Sequence, residues 1–156
     1  DPYSGSNSEG SIPLISSNES DSPTGSITGG ITADNGVRFF RNAAFSVGES
    51  IQIEINIAPP LSHIELAAEI YIAVRINSSS DLYLLGPDGS LALFKGDLFA
   101  FDELVLKAEN TVNLTGGNPL VLTQDLTGEY EFFIGYRVGD DEVIYYGSEP
   151  VALEVF

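Results

Sequence analysis

Apolar and polar residues alternate along most of this chain. Ile51, Ile53, Ile55 and Ile57 are separated by Gln52, Glu54 and Asn56. That is a period of two, the mark of a strand with one buried and one wet face. Pro59-Pro60 predicts its end, since proline offers no ladder donor. Ile70, Ile72, Val74 and Ile76 alternate with Tyr71, Ala73 and Arg75, and Asn77-Ser78-Ser79-Ser80 closes that strand. Residues 82–85 and 91–94 flank Gly86-Pro87-Asp88-Gly89-Ser90, the composition of a hairpin turn. Residues 104–106 and 120–122 read as short strands around Gly116-Gly117-Asn118-Pro119. Tyr130, Phe132, Ile134, Tyr136 and Val138 form the longest regular alternation. Gly139-Asp140-Asp141 turns the chain into a strand over 142–146, and Val151, Leu153 and Val155 make a last one. Residues 61–68 are the best candidate for a helix, of two turns. Short strands at intervals of about 8–12 residues, seven to nine of them, predict an all-β sandwich or barrel.

The first 36 residues have another texture. Ser, Gly and Pro crowd them, and they hold no Lys, no Arg and no aromatic except Tyr3. This is linker-like composition. Two apolar islands interrupt it: Ile12, Leu14 and Ile15 around Pro13, then Ile27 and Ile31 around Gly29-Gly30. Each is long enough for one extended strand. The expected division is an extended N-terminal arm over 1–36 and a sandwich domain over 37–156.

Composition narrows the function. A chain of 156 residues is one domain by default. Its 23 acidic and 6 basic residues give a net charge of −17. That excludes phosphate recognition by a basic patch, and an anionic membrane surface would repel the chain. No apolar run approaches the ~20 residues of a membrane helix, so no membrane insertion is expected. Without Cys there is no disulfide, thiolate metal site or Cys nucleophile. The sequence has no Met and begins at Asp1. Those two features predict a processed chain, exported by a cleaved signal peptide to the cell surface or the extracellular space.

Candidate chemistry is sparse. His63 is the sole imidazole, and Ser62 beside it in sequence does not make a triad, which needs a base oriented by a third group. No nucleophile-elbow pattern is present, so no catalytic residue is assigned and an enzyme is not expected. Tyr136, Tyr145 and Tyr146 are the aromatics that would stack on a sugar. Calcium takes six to eight oxygens from loop carboxylates and carbonyls, and Asp140, Asp141 and Glu142 in their turn are the candidate ligands. Asn-x-Ser/Thr triplets occur at Asn18, Asn77 and Asn113. Asn77, in a predicted turn, is the best glycan acceptor.

Two resemblances sharpen this. Asp125-Leu126-Thr127-Gly128-Glu129-Tyr130-Glu131-Phe132 resembles the tyrosine corner of immunoglobulin-like sandwiches, with Asp125, Gly128 and Tyr130 as its structural residues. Phe132 stands where antibody domains carry a Cys, and Trp is absent. The resemblance is therefore to secreted bacterial immunoglobulin-like and fibronectin-like modules, over about the last 110 residues in architecture, and it implies an all-β, immunoglobulin-like or jelly-roll-like β-sandwich of about 7–9 strands behind an extended N-terminal arm. The whole layout, a small sandwich behind a polar arm with apolar islands, resembles the subunits of donor-strand fibres: chaperone–usher pilins, archaeal bundling pili and camelysin-type biofilm fibres. It implies a filament subunit whose arm completes the sheet of its neighbour, with Ile12, Leu14, Ile15, Ile27 and Ile31 as donor-strand residues. The partner would be the chain itself, head to tail. The alternative is a carbohydrate- or calcium-binding module of a surface adhesin.

Overall fold

The computed structural model describes residues 11–18 and 23–156. Among them run thirteen strands: β1 (Ile12–Ser16), β2 (Ser26–Thr32), β3 (Asn42–Phe45), β4 (Ser50–Ala58), β5 (Ala67–Ile76), β6 (Tyr83–Leu85), β7 (Leu91–Leu93), β8 (Asp102–Val105), β9 (Asn110–Asn113), β10 (Leu120–Val121), β11 (Gly128–Val138), β12 (Tyr145–Gly147) and β13 (Val151–Val155). The class is all-β and sandwich-like. Hydrogen bonding runs in the order β10-β4-β2-β1-β12-β11-β5-β6-β7, and the sheet curls so that its halves share one core. All pairings are antiparallel except β3 with β13.

The strand number exceeds the expected seven to nine because the long strands have divided partners. One flank of β11 is covered by β13 along Gly128–Phe132 and by β12 at Gly135 and Tyr136. β5 meets β8 and then β6 on the flank away from β11. β4 takes β10 at its start and β9 further on.

The core follows the alternation. Ile51, Ile53, Ile55 and Ile57 of β4 are buried, as are Ile70, Ile72 and Val74 of β5 and Val151, Leu153 and Val155 of β13. Four isoleucines on one strand contribute roughly 6–12 kcal/mol of apolar burial. β4 stops at Ala58, before Pro59-Pro60. The 82–94 segment forms the expected hairpin, β6 on β7.

Three expectations need correction. The segment 61–68 makes one 3-10 turn, Leu61–His63, and no α-helix. Glu65 takes φ +73, and its N–H donates to the Leu106 carbonyl at 2.7 Å while Leu106 N–H donates to Leu66. These tertiary bonds draw the chain into β5 before a second turn can form. The strand expected over 142–146 shrinks to Tyr145–Gly147. The boundary at 36/37 falls inside the sandwich: β2 pairs with β4 over seven residues, from Ser26 opposite Ala58 to Thr32 opposite Gln52, and Ile27 and Ile31 lie in the core.

Candidate functional site

β1 occupies the seam between the two halves of the sheet. Ile12 and Pro13 face Ile27 and Ser26 of β2. Leu14, Ile15 and Ser16 face Gly147, Tyr146 and Tyr145 of β12. The strand thus changes partner at Pro13. Proline has no N–H to lose there, and its carbonyl accepts from Ser148 N–H at 2.9 Å. Leu14 N–H donates to the Gly25 carbonyl at 3.0 Å, and Ser17 N–H to Ile144 at 2.9 Å. The Ser17 hydroxyl accepts from Ile144 N–H at 2.9 Å, so the end of β1 is held by both strand and side-chain bonds.

The five donor-strand residues separate by face. Ile12 and Leu14 are each 3% exposed, and Ile27 and Ile31 are buried in β2. Ile15 is 38% exposed, on the outer face beside Tyr146. All of them are paired within their own chain. Glycines make room for β1. A Cβ on Gly25 would stand 2.5 Å from Leu14 Cδ1 and 2.6 Å from the Ala58 carbonyl oxygen. One on Gly147 would stand 3.1 Å from Ile27 Cδ1 and 3.4 Å from Ile12 Cγ2. Neither glycine stands out by its position in the sequence. A Gly closing a run such as Tyr145-Tyr146-Gly147 is the available signal, because glycine in a strand marks close approach.

The 125–132 segment is a hydrogen-bonded turn running into β11. The Tyr130 hydroxyl donates to the Leu126 carbonyl at 2.7 Å, four residues upstream. The Thr123 hydroxyl donates to Asp125 Oδ1, a bond that holds the Asp125 carboxyl below its usual range. Gly128 has φ +147, and a Cβ there would lie 2.9 Å from Asn77 Oδ1. Asn77 is exposed, but its amide has a structural task. Oδ1 accepts from Glu129 N–H at 2.8 Å, while Asn77 N–H donates to the Glu129 carbonyl at 2.7 Å. The candidate glycan acceptor therefore fastens the end of β5 to the start of β11.

Other candidates change standing. Asp140, Asp141 and Glu142 are exposed, and Asp141 Oδ1 accepts from Val143 N–H within its turn. Among the described residues no group of three or more His, Cys, Asp or Glu gathers to hold a metal ion, these three included. His63 Nδ1 lies 2.8 Å from the Tyr136 hydroxyl, and its ring meets Tyr145 edge-on with centroids 4.5 Å apart. Tyr136 and Tyr145 stack at 5.5 Å inside the core, and burial pushes the Tyr136 hydroxyl well above its ordinary pKa. A sugar has no access to those two rings, which corrects their assignment as a stacking platform. Among the described residues no helix is long and apolar enough to cross a membrane.

Comparison of the chain with family profiles, curated proteins and solved structures finds no match.

Proposed function

We propose that the chain is the subunit of an extracellular filament, exported from the cell and assembled by exchange of β1 between copies. One observation supports this. β1, the first of the described strands, bridges β2 and β12, fills its seam with alternate apolar side chains, and is followed by the Ser-rich segment 17–25. Withdrawal of β1 exposes an edge on β2 and an edge on β12, and unpaired edges seek another strand. The β1 of a second copy restores the same main-chain bonds and the same contacts of Ile12 and Leu14. This is β-augmentation with the chain as its own partner. The contact joins unlike surfaces, so repetition yields an open fibre. Subunits of charge −17 repel one another, and added salt should ease assembly by screening.

A cysteine pair tests the exchange. Ile15 and Tyr146 are opposite one another across β1 and β12. Antiparallel partners sit about 4.5–5.5 Å apart at Cα, within the span of a disulfide. The chain has no native Cys to compete. Oxidising the assembled Ile15→Cys, Tyr146→Cys double variant should give a ladder of covalent oligomers on a denaturing gel without reductant. Covalent monomer alone, from assembled material, would show that β1 stays at home. Failure to assemble at high concentration and high salt would also sink the proposal.

A further inference from the structure

On the far side of β2 from the β1 seam, the outer sheet surface carries a polar cleft of about 580 Å³. Its floor is a row of neutral polar side chains, Thr28, Asn56 and Thr111, neighbours on β2, β4 and β9. With strands ~4.8 Å apart the row is about 10 Å long. Glu54, two residues before Asn56 on the same face of β4, is opposite Gly30, which has no side chain to fill the space. Glu109 and the loop residues Arg38 and Phe39 complete the walls. That loop is fixed. Ile31 and Phe40 exchange two backbone hydrogen bonds of 2.8 Å, and Arg38 Nε donates to Asp34 at 2.8 Å. The cleft is therefore preformed.

The Asn56 amide lies half-buried in this floor. Its Oδ1 is closed off without a partner, and its Nδ2 is left to donate to the hydroxyl of a ligand lying there. The remaining chemistry selects the ligand. Glu54 and Glu109 repel anions and accept hydrogen bonds from paired hydroxyls. Thr28 and Thr111 both donate and accept, and Asn56 donates. Phe39 offers an apolar ring. The volume falls within the ~300–1,000 Å³ of small-molecule sites. No metal-binding group of three acids is present among the described residues. We propose that this cleft binds a neutral sugar, one or two hexose units of a glycan. The site is separate from β1, so it stands or falls independently of strand exchange.

The test uses the full chain. Glucose, galactose, mannose, N-acetylglucosamine and the disaccharides lactose, cellobiose and chitobiose are titrated by ligand-observed NMR and calorimetry. Saturable binding of at least one is expected. Asn56→Ala should weaken it about tenfold or more, the effect of losing one good hydrogen bond. Thr111→Val, an isosteric change at an exposed position, should weaken it severalfold and carries the test if Asn56→Ala misfolds by circular dichroism. The proposal is overturned if no sugar of the set saturates the protein at tens of millimolar. It is overturned equally if binding is unchanged in the folded variants, or if calcium alone saturates the site and Glu54→Gln abolishes that.

Discussion

Leu14→Ala probes how firmly β1 is held. Leu14 is 3% exposed and sits between the bare backbones of Gly25 and Gly147. The change deletes three carbons, about 2.4 kcal/mol at ~0.8 kcal/mol each, and the cavity left behind raises the total toward ~3 kcal/mol. For a domain of this size that is a fall of roughly 6–12 °C in melting temperature. Ile15 is the internal control. It is the next residue but faces outward, so Ile15→Ala should cost no more than about 0.5 kcal/mol. Urea unfolding followed by far-ultraviolet circular dichroism measures both. Hydrogen exchange adds a local reading: the Leu14 and Ser148 amides, bonded to Gly25 and Pro13, should exchange about a hundredfold faster in Leu14→Ala. Equal costs for the two variants, or a cost under ~0.5 kcal/mol for Leu14→Ala, would refute the alternation and the docking of β1 together.

Two further perturbations address the corner and the acid limb of stability. Tyr130→Phe removes the 2.7 Å bond to Leu126 and should cost about 1 kcal/mol in urea unfolding; an unchanged midpoint would mean that the hydroxyl bond is energetically idle. Asp34 is held at a pKa of about 2 by its bonds to Arg38. A carboxyl depressed below its unfolded value of ~3.9 contributes stability that is whole above about pH 4 and lost as pH falls toward 2. Asp34→Asn should therefore flatten the wild-type decline in that window, and parallel acid curves for the two proteins would contradict the assignment.

The legible parts of the fold were the local ones. β4 and β13 alternate strictly, and their burial follows the pattern; β5 and β11 bury Ile70, Ile72 and Val74 and Ile134 and Tyr136 as the pattern asks, but Tyr71 and Gly135 between them are buried too. The Pro87-Asp88-Gly89 turn and the Asp125 to Tyr130 spacing are short-range signals, and each has its local structure. β3 and β9 are not legible, because four residues such as Asn110–Asn113 carry too little periodicity to stand above chance. The partner of β1 was hidden for another reason: Ile12, Ile27 and Gly147 meet only after distant segments register. The polar cleft is hidden in the same way. Thr28, Asn56 and Thr111 are unremarkable in sequence, and only the β2–β4–β9 pairing sets them side by side.

Gly25 and Gly147 bear on recognition as well as on room. The seam is a cast of one particular strand, hollowed where Leu14 and Ile12 project. A strand offered one residue out of step turns Pro13 and Ile15 inward and its correct side chains to water. A foreign strand with a small residue at the Leu14 position leaves the hollow empty. Under the proposed exchange, discrimination between self and non-self resides in two side chains that are missing, and adding a methyl group at residue 25 would turn the seam against the strand it was shaped for.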